Sequence, residues 1–265
     1  MEKDHSNVII STKDLGIGYQ GKKKMTLIQC KINIEICQGD FMVVLGRNGI
    51  GKSTFLRTIT KVQPPLEGAV FLGQKELQAI DDRILSKKMS IVLTDRIPDS
   101  QLTVFELVAL GRQPYTNWVG KLTSEDYQKI TWAMKETDTL ALSNCHFYEL
   151  SDGQLQRVLI ARALAQDTEI IVLDEPTAHL DLHHTIKIFQ LLERLVREVK
   201  KTIILSSHQV NLAIRYANNI ILMTNNRVIS GSRASLQEDQ AVDDLFPSEI
   251  LNFDRTLEQF VVQKK

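Results

Sequence analysis

A nine-residue stretch combines the residue types that bind phosphate, and it consists of Gly46, Arg47, Asn48, Gly49, Ile50, Gly51, Lys52, Ser53 and Thr54. Its glycines allow a tight turn that aims backbone N–H groups at an anion, because no Cβ holds the phosphates away. Lys52 can reach the β- and γ-phosphates of a nucleotide, and the Ser53 hydroxyl can bind Mg²⁺. The stretch therefore predicts a nucleotide triphosphate site, but it leaves open what the energy is used for.

The flanking sequence supplies the elements that such a loop needs. The apolar run Phe41–Leu45 predicts a buried strand before the loop, and Phe55–Thr60 predicts a helix after it. A helix presents the positive end of its dipole at its N-terminus, which favours a bound anion. Because strand, loop and helix follow in this order, we interpret the stretch as a phosphate-binding loop.

Two adjacent carboxylates, Asp174 and Glu175, follow the apolar run Ile170–Leu173. A buried strand that ends in two acids places them at the carboxyl edge of a sheet, where α/β proteins bind ligands. Asp174 is suited to hold Mg²⁺ and Glu175 to polarise an attacking water. Acids at a strand end are often only a solvated edge, but their position after a phosphate loop favours the second half of a hydrolytic site.

Strand-like and helix-like patterns alternate along most of the chain, which predicts an α/β fold with a mostly parallel sheet. The character becomes helical between about Ile97 and Ala165, and this stretch is interpreted as an inserted helical lobe. The helical periodicity within it is strongest over three segments, Val104–Leu110, Glu125–Thr137 and Leu155–Leu164.

Composition excludes several classes of protein. The 265 residues carry no net charge, so no nucleic-acid surface is expected. No apolar run approaches the roughly 18 to 20 residues that a membrane span needs, and the N-terminus lacks the apolar core of a signal peptide. The three cysteines are expected to be small buried hydrophobes.

Gly16–Gly21 matches the glycine pattern of a dinucleotide site, but we reject that site because no helix is predicted to follow.

Three further motifs identify a family. They are Leu150-Ser151-Asp152-Gly153-Gln154, the segment Glu175–Asp181, and Ser206-Ser207-His208. Together with the phosphate loop, and in this order, they resemble the nucleotide-binding subunit of ABC transporters over roughly residues 8 to 245. The resemblance implies an ABC-type P-loop ATPase: a mostly parallel RecA-like sheet core, an N-terminal antiparallel β subdomain and an inserted α-helical subdomain. It predicts a nucleotide-binding domain over residues 1–245, with the helical subdomain at about 97–165, and a C-terminal extension over 246–265 without an assigned role.

The resemblance also implies roles for individual residues. Tyr19 matches the aromatic residue that stacks on adenine, and His208 matches the histidine that hydrogen-bonds the γ-phosphate. The signature residues Ser151, Gly153 and Gln154 match the segment that contacts ATP held by the opposite subunit. Asp181 matches the loop that couples the two sites across a dimer. ATP and Mg²⁺ are the implied cofactors.

Two positions depart from the family pattern. Asp152 stands where the family usually has a glycine, and its carboxylate would repel an incoming γ-phosphate unless the side chain points away. Asp95 is aligned best with the glutamine that usually touches Mg²⁺ and signals to the membrane subunit. As a third acid beside Asp174 and Glu175, Asp95 would add negative charge to the metal site.

The segment Leu107–Thr116, and His179 within Glu175–Asp181, look like those of ATPases that drive the import of iron chelates, haem and cobalamin. The alternative left open for this segment is that Gly111 and Pro114 simply end a helix. The implied partners are a second copy of the chain, integral-membrane permeases and a substrate-binding protein, at the cytoplasmic face of a bacterial inner membrane. Two alternatives stay open: an ABC ATPase for another cargo or an exporter, and a soluble ABC ATPase without a membrane partner.

Overall fold

The computed structural model describes residues 7–21, 24–93, 101–118, 120–225, 227–238, 251–254 and 259–262. Contacts divide the chain into two compact units, one formed by Met1–Ile80 with Glu193–Lys265 and the other by Asp81–Leu192. Over the described residues the strands are β1 Val8–Gln20, β2 Met25–Ile32, β3 Glu35–Cys37, β4 Phe41–Gly46, β5 Glu67–Leu72, β6 Lys75–Glu76, β7 Met89–Val92, β8 Ile170–Leu173, β9 Thr202–Ser206, β10 Asn219–Met223, β11 Val228–Ser232, β12 Leu251–Asp254 and β13 Gln259–Val262. The α-helices are α1 Lys52–Ile59, α2 Asp82–Leu85, α3 Val104–Ala109, α4 Ser124–Glu136, α5 Asp152–Ala165, α6 Leu182–Arg197, α7 Val210–Tyr216 and α8 Arg233–Glu238.

The first unit contains an antiparallel sheet in the order β2-β1-β5-β6, with β3 also paired to β1. Gly16 and Gly18 lie inside β1, and the next described element is strand β2. A Cβ at Gly18 would lie 2.0 Å from the Thr26 carbonyl oxygen, so glycine is required where β2 approaches. These glycines therefore serve strand pairing.

A second sheet of this unit places β4 between β10 and β9, with all three strands parallel. Strand β11 adds an antiparallel edge to β10. Every residue of β4 is buried, as expected for a central parallel strand covered on both faces. Helix α1 buries Phe55, Leu56 and Ile59. Burial of these large apolar side chains stabilises the strand and helix on either side of the predicted phosphate loop.

The second unit combines the parallel pair β7–β8 with helices α3, α4 and α5. Thr103 and Thr123 begin α3 and α4 with reciprocal capping boxes, which satisfy the N–H groups of the first turns. Helix α5 buries most of its apolar residues, including Val158, Ile160 and Leu164. These features confirm the α/β fold with parallel sheet strands, an antiparallel β subdomain and a helical subdomain.

The cysteines are placed differently from the sequence expectation. Cys30 is exposed, and Cys37 and Cys145 are half-buried, so the expectation of three buried cysteines is wrong. Cys30 lies on β2, at the edge of the antiparallel sheet, where one strand face remains in solvent.

The exact domain limits stay predictions. Among the described helices, none is both long and apolar enough to cross a membrane.

Candidate functional site

The predicted phosphate loop connects β4 to α1 in the first unit. Gly49 and Gly51 have φ angles of 78° and 110°, in the left-handed region that favours glycine. A Cβ at Gly51 would also lie 2.9 Å from Ile28 Cγ2, so a larger residue would both strain the backbone and collide. The loop then enters α1 directly, which places a helix N-terminus at the loop.

Lys52 is the first residue of α1, and its side chain is buried. Its Nζ donates hydrogen bonds to the carbonyl oxygens of Gly46 and Arg47, at 3.0 and 3.2 Å. The ammonium group is therefore held along the start of the loop. A cation fixed there can bind phosphate oxygens with little further loss of side-chain entropy.

Tyr19 and His208 also lie in this unit. The Tyr19 hydroxyl is 2.9 Å from Thr54 Oγ1, while 57% of the residue remains exposed, so its ring is available for stacking beside the loop. His208 is exposed and follows β9, whose residue Ser206 pairs with Val44 of β4. Because β4 and β9 are parallel neighbours, His208 and the phosphate loop leave the sheet at the same edge.

The two predicted carboxylates lie at the end of β8 in the second unit. Asp174 is 2% exposed, and its N–H donates to the Val92 carbonyl at 2.8 Å, which continues the ladder between β7 and β8. Glu175 has a φ angle of 48°, a conformation that costs a non-glycine residue about 1–3 kcal/mol and is typical of functional sites. The Glu175 carbonyl accepts from Ala178 N–H at 3.0 Å, so the chain turns sharply after the acids.

The signature residues begin helix α5. The Ser151 N–H donates to Gln154 Oε1 at 2.9 Å, and the Gln154 N–H donates to Ser151 Oγ at 3.4 Å. Asp152 is exposed in the first turn, where a carboxylate is favoured by the helix dipole. Gly153 is buried against the His184 ring. The segment is therefore the capped start of a helix.

Asp181 precedes α6 and accepts two hydrogen bonds at Oδ1. The donors are the His184 backbone N–H at 2.8 Å and the His184 ring Nδ1 at 2.9 Å. These bonds, the backbone one first, lower the pKa of Asp181 below its ordinary value. The carboxylate therefore stays ionised at neutral pH and caps the helix.

Sequence reasoning missed a residue that supports the phosphate loop. Gln29 is buried, and its Nε2 donates to the Thr224 carbonyl at 2.8 Å and to the Ile50 carbonyl at 3.4 Å. It therefore ties β2 to the loop and to the residue after β10. The only sequence signal was an amide in an otherwise strand-like segment.

Arg112 and Tyr115, within the segment Leu107–Thr116, have structural partners. The buried Arg112 guanidinium donates to Asp126 Oδ1 and to the Ala165 carbonyl, at 2.8 and 2.9 Å. It also lies 4.0 Å from the centre of the Tyr115 ring. Gly111 approaches helix α5 so closely that a Cβ would lie 2.2 Å from the Arg162 carbonyl oxygen. These contacts explain the local residues through packing.

The predicted site residues are divided between the two compact units. The first unit holds Tyr19, the phosphate loop and His208, and the second unit holds the remaining described ones, Asp174, Glu175, Asp181, Ser151, Gly153 and Gln154. Asp95 lies outside the described residues, so its role stays a prediction. The residue roles assigned to both groups also stay predictions.

Known proteins share both the sequence and the fold. The ABC transporter family model matches residues 30–178. The chain is 40% identical over 225 residues to the iron(3+)-hydroxamate import ATP-binding protein FhuC of Bacillus subtilis, covering 85% of this chain and 82% of that one.

Two solved structures extend the comparison. A metal-chelate type ABC transporter in an inward-facing conformation matches with a TM-score of 0.78 and 28% identity, over 96% of both chains. A dimeric bacterial ABC transporter cassette matches with a TM-score of 0.73 and 31% identity, over 85% of this chain and 99% of the other. These matches confirm the resemblance found in the motifs. The chain therefore belongs to the ABC transporter family, as an ATPase of the ATP-binding cassette type.

Proposed function

We propose that this chain powers the uptake of ferric siderophores or related chelates, with haem and cobalamin among them. The observation that carries the proposal is its 40% identity to an iron(3+)-hydroxamate import protein across 85% of the chain. The segment Leu107–Thr116 and His179, which resemble iron-chelate import ATPases, support the same cargo class.

The first unit binds the nucleotide in this proposal. The Tyr19 ring stacks on adenine, while its hydroxyl bond to Thr54 holds the ring beside the loop. Glycine N–H groups and the N-terminus of α1 surround the phosphates. Lys52, already held along the loop, reaches the β- and γ-phosphates, and His208 hydrogen-bonds the γ-phosphate.

The second unit supplies the acids for hydrolysis. The Asp174 carboxylate is the oxygen donor type that Mg²⁺ prefers, and the Ser53 hydroxyl of the first unit is an oxygen donor as well. Bound Mg²⁺ would neutralise charge that develops on the phosphates. Glu175 orients and polarises the attacking water. Asp174 is buried whereas Glu175 is half-buried with a left-handed backbone, and this difference supports separate tasks for the two acids.

Two copies complete each site in this proposal. The phosphate loop of one copy holds ATP, and Ser151, Gly153 and Gln154 of the other copy contact its γ-phosphate. Asp181 couples the two sites. Closing the pair aligns Glu175, water and phosphate, and hydrolysis resets the pair. The resulting motion drives integral-membrane permeases, which receive their cargo from a substrate-binding protein. The chain acts at the cytoplasmic face of a bacterial membrane.

Growth on one iron source tests the cargo. We expect loss of this chain to abolish growth on a ferric hydroxamate as sole iron source, and to leave growth on excess ferrous iron unchanged. The wild-type gene should restore growth, whereas a Lys52→Ala gene should not, because it removes the cation from the phosphate loop. Unchanged growth on every chelate tested would instead support another cargo or an exporter.

Co-purification tests the class of partner. A tagged chain extracted in mild detergent should retain a polytopic membrane protein. If active chain purifies in stoichiometric amounts without one, the soluble ABC ATPase becomes the better interpretation.

A further inference from the structure

His184 links two motifs that are well separated in the sequence. It lies in the first turn of α6, three residues after Asp181, and its ring packs against Gly153 of the signature segment. All three residues belong to the second compact unit. None of the sequence motifs assigns a role to this histidine.

The contact with Asp181 fixes the imidazole. Asp181 Oδ1 accepts from the His184 backbone N–H at 2.8 Å and from ring Nδ1 at 2.9 Å. An ionised carboxylate only accepts hydrogen bonds, so Nδ1 carries the proton. The double contact fixes both the start of α6 and the direction of the ring.

The contact with Gly153 fixes the signature segment. A Cβ at Gly153 would lie 2.7 Å from His184 Cδ2 and 3.1 Å from Cγ, closer than packed atoms approach. The ring therefore occupies the space beside the helix start, so a Cβ at position 153 would force the ring to shift. Gly153 is buried, whereas its neighbours Ser151 and Asp152 are exposed.

The exposure of His184 argues against a simple core role. Its side chain remains 43% exposed, and that of Asp181 remains 65% exposed. An apolar residue would fill a core position better, because an imidazole carries polar atoms that need partners. The described contacts of this ring are with Asp181, Gly153 and the edge of the His183 ring, whose centre is 5.7 Å away.

We propose that His184 is a positioning residue that makes the Asp181 loop and the signature segment move as one body within each copy. This inference rests on the proposed function, in which both motifs face the opposite copy. A displacement of Asp181 when two copies close is then transmitted through the ring to Gly153. His184 itself touches neither ATP nor the reacting atoms in this scheme.

Four variants separate the two contacts of the ring. His184→Asn keeps an N–H donor for Asp181 and loses the ring, whereas His184→Phe keeps the ring and loses the donor. His184→Ala loses both, and His183→Ala is the matched control because it removes an adjacent exposed histidine and leaves the His184 contacts with Asp181 and Gly153 in place. We expect His184→Ala to lower kcat about tenfold with KM for ATP within about twofold, since the phosphate loop is intact.

The asparagine and phenylalanine variants should each recover part of kcat, and His183→Ala should stay within about twofold of wild type. Circular dichroism melting identifies any variant that loses activity by unfolding. The inference is overturned if folded His184→Ala turns over ATP like wild type.

A stability cycle tests the link independently of transport and hydrolysis. Gly153→Ala should lower the melting temperature of the full chain, because the new Cβ meets the His184 ring. In a His184→Ala background the same change should be neutral or stabilising, since alanine favours helix more than glycine does. If Gly153→Ala lowered the melting temperature equally in both backgrounds, the proposed link between His184 and Gly153 would be overturned. If the wild-type protein failed to hydrolyse ATP, the proposed function would be contradicted. The stability cycle would still test the contact between His184 and Gly153.

Discussion

Asp174 and Glu175 are adjacent in the chain but have different surroundings. Asp174 continues a buried strand and is almost inaccessible to solvent, whereas Glu175 has left-handed backbone geometry and is half-buried. A metal ligand benefits from a fixed position, and a group that polarises an attacking water needs access to the reacting atoms. The difference supports the separate roles proposed for the two acids.

Replacement of Glu175 tests its role directly. Glu175→Gln keeps the shape of the side chain but removes the carboxylate, so we expect kcat to fall about a hundredfold or more. The variant should still pair on ATP, because its nucleotide contacts are retained. Phosphate release and size-exclusion chromatography measure the two properties. Glu169→Gln, at an exposed carboxylate just before β8, serves as the control, and an equal loss there would contradict the assignment.

The helical elements depend on one buried ion pair. Arg112, in the 3₁₀ turn after α3, contacts both Asp126 of α4 and the carbonyl of Ala165 at the end of α5. Burial raises the pKa of Asp126, but the hydrogen bonds from Thr123 and Arg112 lower it more, so its pKa is below the ordinary value. The pair therefore holds three elements in one arrangement.

Removal of this carboxylate should destabilise the protein. Asp126→Asn leaves Arg112 buried without its counter-charge, at an expected cost of about 3–5 kcal/mol in the free energy of unfolding. Because the folded-state pKa is lowered, the stabilisation is present above the ordinary aspartate pKa and is lost as pH falls through the folded-state pKa. Urea unfolding across this pH range measures it. Glu125→Gln, at the exposed neighbouring acid, should change stability by less than about 0.5 kcal/mol at every pH.

For the whole molecule, each compact unit carries only part of the predicted site. The phosphate loop lies in one unit, and the signature segment and the two acids lie in the other. The proposed function pairs the loop of one copy with the signature of a second copy. Activity should therefore be a property of the pair.

Mixing two inactive variants tests this pairing. Lys52→Ala damages the loop and Ser151→Ala damages the signature, so a mixed pair retains one site in which both parts are intact. An equal mixture should recover roughly a quarter of wild-type turnover, because half of the pairs are mixed and each has one intact site. The separate variants, assayed at the same total concentration, are the controls. Full-rate hydrolysis by wild-type protein that remains monomeric would contradict the paired site.

Features that depend on the local order of residues could be predicted before folding is considered. Strand β8 begins and ends at the predicted residues, and α4 differs by one residue at each end. Such elements follow from periodicity and caps within a few residues. The motifs and their order likewise identified the family, because each phosphate-binding or acidic residue type has a chemical reason for its spacing.

Contacts between distant residues became known only from the folded chain. The sequence did not reveal that β1 continues through Gly16 and Gly18, that Arg112 pairs with Asp126, or that His184 joins Asp181 to Gly153. These contacts depend on how separate elements pack, and packing is set by the combined shapes of many side chains and not by local pattern. The phosphate loop could thus be recognised from its residues, whereas the supports that hold the site residues in place became visible only in the folded chain.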